Sequence, residues 1–207
     1  RKKKISLEKD IIEKEILSKK IYGICRKNFF IDIGTEKNFK RSKILIPKIN
    51  RKPAIFLDRD GVINQDKGYT YKIEDFRFKP KVIEKLKDFT KRDFWIFIVT
   101  NQAGIAHGLF SEKEFFLLHL NLKKFLFKKN ILIHDVKYCP YHKNAIIKKY
   151  KRNSNYRKPG NLMIRDLKRN WGIENKKSMM IGDKLSDKVC ADKSKIKFFY
   201  NIENITY

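Results

Sequence analysis

Cysteine is scarce in this chain: Cys25, Cys139 and Cys190 are the three among 207 residues. An odd number of scattered thiols cannot build a disulfide framework, so they read as reduced and the expected setting is cytoplasmic. Long hydrophobic runs are missing too. None approaches the roughly 18 uncharged apolar residues of a membrane-spanning helix, and residues 1–10 lack the apolar stretch of a signal peptide. No membrane partner is expected. Negative charge is also in short supply, with 23 Asp plus Glu against 50 Lys plus Arg and a net charge of +27. Such a field draws polyanions, but lysine is spread along every segment together with Ile, Asn, Phe and Tyr. Biased composition therefore explains the charge better than a dedicated nucleic-acid surface. The chain is 42% hydrophobic and 13% aromatic, enough for a packed core. It opens on Arg1 rather than Met, with a polar run, and is expected to be a piece of a longer polypeptide.

Residues 47–53 form a polar stretch bounded by Pro47 and Pro53 that should continue neither a helix nor a central strand. A boundary there divides the chain into 1–50 and 51–207. Beyond it, apolar runs at 54–57, 94–99, 131–136, 179–181 and 196–200 read as buried strands. Helical spacing marks 80–93, 111–129, 162–171 and 185–193, the second opened by a capping box of Ser111 and Glu114. Strands alternating with helices predict an α/β fold, a parallel sheet with helices on both faces and its ligand beyond the carboxyl ends of the strands.

Chemistry-bearing residues follow four of these runs. After 54–57 come Asp58, Arg59, Asp60 and Gly61, two carboxylates able to turn into the space above the sheet, one to attack and one to move a proton. After 94–99 come Thr100, Asn101 and Gln102, suited to hold phosphate oxygens. Arg157, Lys158 and Pro159 offer two cations for a phosphoryl group. Gly182, Asp183 and Lys184, with Asp187 one turn later, supply acidic oxygens that complete a magnesium site with Asp58. Each is ordinary turn chemistry by itself. Together, at the ends of separate strands, they make one crevice.

Asp58–Asn64, Gly68–Tyr69, Val99–Ala106, Cys139–Pro140, Arg157–Pro159 and Gly182–Lys184 resemble the haloacid dehalogenase superfamily, and within it the D-glycero-D-manno-heptose 1,7-bisphosphate phosphatases. The resemblance runs from about residue 53 to the end. It implies a Rossmann-like fold with no large cap domain, and a magnesium-dependent phosphatase that removes the 7-phosphate through an aspartyl-phosphate. It implies Asp58 as nucleophile, Asp60 as general acid and then base, and Lys158 as partner of the transferring phosphoryl. Magnesium would be held by Asp58, the backbone carbonyl of Asp60 and Asp183. Thr100 and Asn101 would bind the phosphoryl, and Asp66, Lys67, Gly68, Tyr69, Gln102, Ala103, Arg157 and Lys184 would shape the substrate pocket of a monomeric domain.

The chain departs from that family at the loop before Arg157, where members commonly hold a structural zinc. Only Cys139 of the usual ligands remains; Tyr141, Ser154 and Tyr156 stand at the other positions, and His142 is one place off. No zinc is expected, and loop 139–156 should be mobile or held by other contacts. His107, where an Arg is common, reads as a solvated histidine. Residues 1–50, through Ser6–Asp10 and Phe29–Thr35, resemble the last part of a heptose-1-phosphate guanylyltransferase, in which the carboxylate at the Asp32 position helps bind magnesium. That would make the chain fused to or partnered with a sugar nucleotidyltransferase; the other reading is an unrelated helical extension. Competing functions are a polynucleotide 3′-phosphatase, a histidinol-phosphate phosphatase, and a non-catalytic basic binding module.

Overall fold

In a computed structural model, residues 5–18, 21–22, 24 and 29–205 are described; Cys25 lies outside them. The chain divides into two compact units, Arg1–Ser42 and Lys43–Tyr207. In the first, a π-helical turn Leu7–Ile12 runs into α1 (Glu13–Leu17). Asp32 Oδ1 accepts the Gly34 N–H at 2.8 Å, and Thr35 Oγ1 accepts the Asn38 N–H at 3.3 Å where α2 (Glu36–Ile49) begins. That helix carries Pro47 in its last turn, so the expected break falls three residues late. A proline there forfeits the one N–H bond it would make to the carbonyl four residues before it.

The second unit is built on five parallel strands in the order β3-β2-β1-β4-β5. These are β1 (Ala54–Leu57), β2 (Trp95–Asn101), β3 (Asp135–Cys139), β4 (Met179–Gly182) and β5 (Lys197–Tyr200). All four residues of β1 and of β4 are buried, as continuous apolar runs in a sheet covered on both faces must be. Helices α3 (Val82–Lys91), α4 (Ala103–Ala106), α5 (Glu112–Phe127), α6 (Leu162–Asn170) and α7 (Leu185–Lys193) complete the α/β fold. Alternate strand residues separate into two cores: Ile55, Leu57, Ile96, Ile98 and Ile181 on one face, Ala54, Phe56, Phe97, Val99 and Met180 on the other. The capping box of Ser111 and Glu114 forms as expected.

The run 131–136 is a correction. Ile131 and Ile133 are buried in the first core, but the third strand starts only at Asp135. The Ile131 N–H bonds Leu126 O and closes the end of α5, so the apolar side chains plug the core from a loop. Hydrophobicity reports burial, and burial alone does not imply a ladder.

Among the described residues no helix is long and apolar enough to cross a membrane.

Candidate active site

Because β1 is central, the residues that leave it stand between the ends of β2 and β4. The Asp58 N–H extends the ladder to Ile181 O at 3.0 Å, placing Asp58 beside the turn that follows β4. Gly61 (φ +84°) turns the chain away, and a Cβ there would collide with the Asp183 carboxylate. The absence of that atom lets the two acidic turns touch. Carboxylate oxygens of Asp58, Asp183 and Asp187 all lie within 4.8 Å of one another, the one such acidic, His or Cys group among the described residues.

Lys158 sits 2% exposed against this group, its Nζ 2.8 Å from Asp58 Oδ2 and 2.6 Å from Asp187 Oδ1. Burial works against its ammonium, but the two carboxylates outweigh that and raise its pKa. Asp58, 6% exposed, is pushed up to about 6 by burial and by the Asp187 charge, against the pull of Lys158 and the Arg59 N–H. Asp187, expected to complete a magnesium site with Asp58, shares the acidic group with it, while its Oδ1 lies 2.6 Å from Lys158 Nζ and its Oδ2 accepts the Lys184 N–H at 3.1 Å, contacts that seat the lysine. Asp183 is different: its Oδ1 is buried and bonds no protein group, and burial, helped by Asp187, raises its pKa. An orphaned carboxylate oxygen next to a second carboxylate, all oxygen donors, fits a hard cation such as magnesium.

The phosphate cradle is organised differently from the expectation. Asn101 Nδ2 donates to Lys158 O at 3.1 Å while its Oδ1 accepts the Lys158 N–H at 2.9 Å. That side chain is therefore spent on the lysine's backbone, pinning the loop after β3 to the end of β2. Gln102, 3% exposed, donates from Nε2 to Asp60 Oδ2 (3.0 Å) and Thr100 Oγ1 (2.8 Å). The Thr100 hydroxyl thus keeps its own hydrogen for a ligand. Replacing Asn101 by Ala is expected to cost about 1–3 kcal/mol of stability, by orphaning a buried N–H and C=O. It should also lower kcat by about 10²-fold through a misplaced Lys158; chemical denaturation and phosphate release measure the two.

These groups open into a cavity of about 380 Å³ lined by Asp58, Asp60, Asp66, Gly68, Tyr69, Thr100, Asn101, Gln102, Ala103, Arg157, Lys158, Lys184 and Ser186. Lys184 Nζ bonds Asp66 Oδ2 at 3.1 Å, tying the 66–70 loop to the start of α7. Lys67 is not part of this lining; it faces an adjoining hollow with Tyr71, Asp75 and Arg77. Loop 139–156 is held by other contacts. Ile146 and Ile147 N–H groups bond Ala106 O, Ala145 and Tyr150 are buried, and the Arg152 guanidinium lies 3.6 Å from the centre of the Tyr141 ring. The Cys139 thiol is buried, and burial raises its pKa. His107 is half-buried, its ring 5.1 Å from that of His142.

Arg59 and Asn64 escaped the sequence reading of roles. Both are fully buried and both bond the Asp60 carboxylate. The signal was present in alternation: a residue between two cavity-facing aspartates points the opposite way, into the protein.

The family described as polynucleotide kinase 3 phosphatase matches residues 53–203. A D-glycero-beta-D-manno-heptose-1,7-bisphosphate 7-phosphatase of Photorhabdus laumondii is 41% identical over 144 residues, 70% of this chain and 77% of that protein. The D-glycero-alpha-D-manno-heptose-1,7-bisphosphate 7-phosphatase of Campylobacter jejuni is 41% identical over 134 residues, 65% and 73% of the two chains. The crystal structure of a D,D-heptose 1,7-bisphosphate phosphatase from B. bronchiseptica, complexed with magnesium and phosphate, superposes with a TM-score of 0.64 at 25% identity, covering 72% of this chain and 80% of that one. With the carboxylates and Lys158 gathered at the strand ends, these likenesses make the chain a phosphatase that belongs to the haloacid dehalogenase superfamily, among relatives of the heptose 1,7-bisphosphate 7-phosphatases.

Proposed function

We propose that the second unit removes the 7-phosphate of D-glycero-D-manno-heptose 1,7-bisphosphate, with magnesium, through an aspartyl-phosphate on Asp58. The observation that carries this reading is the sharing of one 4.8 Å space by Asp58 and Asp183, next to Lys158. Asp58 and Asp183, with the Asp60 backbone carbonyl, would hold the magnesium, which when bound neutralises charge on the transferring phosphoryl. Asp58 Oδ then attacks phosphorus, Lys158 and Thr100 orient the equatorial oxygens, and Asp60 gives its proton to the departing sugar oxygen. In the second half Asp60 takes a proton from the attacking water. Arg157, Lys184 and the 66–69 loop would receive the rest of the sugar phosphate, without zinc in loop 139–156.

Residues 1–50 are read as the end of a nucleotidyltransferase-like domain and linker, in a cytoplasmic protein with a monomeric phosphatase domain. That pairing is chemically coherent, because loss of the 7-phosphate leaves the sugar 1-phosphate that nucleotidyl transfer consumes. It favours the α-anomer. The second reading, a polynucleotide 3′-phosphatase, draws on the +27 charge and on the matching family's description. Phosphate release from heptose bisphosphate, a 3′-phosphorylated oligonucleotide and histidinol phosphate separates these. Fastest turnover of the sugar supports the proposal; fastest turnover of the oligonucleotide replaces it.

Chelation is expected to stop turnover and added magnesium to restore it, whereas one zinc per chain in a metal assay would overturn the zinc-free loop. The metal needs Asp58 ionised, and its carboxyl in the metal-free protein sits at about 6. Apparent magnesium affinity should therefore fall as pH drops through about 6, with proton release on binding measured by calorimetry in two buffers. The sign for stability is the reverse. A raised carboxyl pKa favours the protonated folded state, so Asp58's contribution is fullest below the ordinary carboxylate range and is lost as pH rises through about 6.

A further inference from the structure

Helix α5 is apolar on both of its sides. Phe115, Leu118, Leu122 and Leu126 turn inward and are buried. On the outer side Phe116, Leu117, Leu120 and Phe127 each keep half or more of their surface in water. At 3.6 residues per turn those four fall, together with Lys113, Lys124 and Lys128, inside an arc of about 120° opposite the core side. A helix that is hydrophobic all round is ordinarily covered all round. The outer sides of α3 and α6 carry charge instead, with Glu84, Lys87 and Lys91 exposed on the first and Arg165 and Arg169 on the second.

Charge shows what kind of cover fits. From Phe115 to His134 the chain has no acidic residue and four lysines, Lys123, Lys124, Lys128 and Lys129. Lys124 and Lys128 stand one turn apart on the outer side, a like-charged pair that weakens the helix unless an anion lies against it. The two carboxylates of α5 are both in its first turn and are engaged within the protein: Glu112 Oε1 accepts the Tyr138 hydroxyl at 3.1 Å, and Glu114 closes the capping box with Ser111. A second copy of the chain would bring the same lysines to the contact, and its own +27 with them. A protein interface draws its anchors from Trp, Tyr and Arg and is depleted in Lys, and the outer arc has none of those three anchors. Phe and Leu interleaved with Lys is the composition that lies in a lipid headgroup layer, the apolar side chains entering it while the lysine stems reach for phosphates.

We propose that the outer face of α5 is a docking surface for a bilayer containing anionic lipid, bound flat along the roughly 24 Å of the helix. The contact stops at headgroup depth and needs no spanning helix, in keeping with the absence of one among the described residues. None of the residues that line the active-site cavity belongs to α5, so the contact uses none of them. The proposal does not depend on the phosphatase reading.

The test sediments the full chain with vesicles of phosphatidylcholine and phosphatidylglycerol in roughly equal parts, and with vesicles of phosphatidylcholine alone. Binding to the mixed vesicles is expected to be at least about 10-fold tighter than to the neutral ones. Two double variants separate this face from the charge of the whole molecule. Leu120→Gln with Phe127→Gln keeps every charge, and Lys124→Gln with Lys128→Gln keeps every apolar side chain; each should weaken binding to the mixed vesicles by about 10-fold or more. Arg165→Gln with Lys188→Gln, exposed on helices that cover the other core, removes the same charge and should change binding by less than about twofold. Equal losses in all three, or wild-type binding by the Leu120 and Phe127 variant, would trace the attraction to overall charge and overturn the proposal. So would a dimer, seen by light scattering, that the Leu120 and Phe127 changes dissolve, since the face would then join two copies. Tighter binding of polyglutamate than of vesicles, lost in the same two variants, would assign the face to an acidic protein and overturn it as well. Circular dichroism checks that each variant is folded; should a double variant misfold, Phe127→Gln and Lys128→Gln alone decide by the same comparison.

Discussion

Changing Asp58 to Asn is expected to remove phosphate release by about 10⁴-fold or more while leaving the melting temperature unchanged or higher. The first half follows from the proposed chemistry, because an amide oxygen cannot form the acyl phosphate and the cavity's other carboxylates, Asp60 and Asp66, are engaged by Arg59 and Lys184. The second follows from the resting charge pattern. Asp58 is almost wholly buried, and its carboxyl sits at about 6, above its ordinary value, because ionising it there is costly. Asn keeps the shape and still accepts the Arg59 N–H that Asp58 Oδ1 accepts at 2.7 Å. Lys158 keeps Asp187 as its partner at 2.6 Å. Ionising this carboxyl in its buried setting lowers stability, and neutralising it removes that cost. Phosphate release and a thermal melt on the same preparation check both halves; a drop in melting temperature of many degrees would contradict the charge argument.

The second large effect belongs to Lys158. Its ammonium is the cation between two buried carboxylates, so Lys158→Met leaves Asp58 and Asp187 facing one another without compensation. Breaking a buried ion pair from one side costs about 3–5 kcal/mol, more than a surface pair by far. Turnover should fall as well, by about 10²–10³-fold, since the charge aimed at the phosphoryl oxygens is gone. The pH dependence carries the distinctive sign. Without the lysine, Asp58 loses the attraction that lowers its pKa, so protonation is favoured further and the variant recovers stability as pH falls. Denaturation at pH 5.5 and pH 8 should show a smaller gap from wild type at the lower pH. The double variant Lys158→Met with Asp187→Asn should regain part of the loss, because one of the two stranded charges is removed.

How far the residues could be read in advance varied with what each one does. Asp58, Asp60, Thr100 and Asp183 were legible because each follows a short apolar run, and a parallel sheet brings the ends of adjacent runs together. Lys158 was legible with Arg157 as a cation for a phosphoryl group, but its choice over Arg157 as the partner came from the resemblance, since it arrives on a long loop in a chain where lysine is everywhere. Asn101 and Gln102 were placed at the cavity, but their partners were not foreseen: the amides clamp Lys158 and Asp60. An amide can donate and accept in any direction, and only the fold says which neighbours come within 3 Å. The third strand failed for a related reason. Ile131 and Ile133 are as buried as strand residues, and burial from a loop looks the same in a sequence.

What the amino-acid order determined unaided is the alternation of buried strands and amphipathic helices, the turns at their ends, and hence an acidic crevice with a cation beside it. Those features are local: hydrophobic period, capping and turn chemistry act over a few residues. Tertiary structure alone decided which carboxylates pair with Lys158 and which keeps an oxygen that bonds no protein group, and that buried Arg59 grips Asp60. The pairings of Lys158 with Asp58 and with Asp187 bring together residues distant along the chain, where a shift of about one ångström changes the partner. Asp183 and Asp187 make the case. Four residues apart with the same side chain, one has a buried oxygen with no cation beside it among the described ion pairs and the other lies 2.6 Å from Lys158 Nζ, with Gly61 and Gly182 leaving room for each to turn its own way.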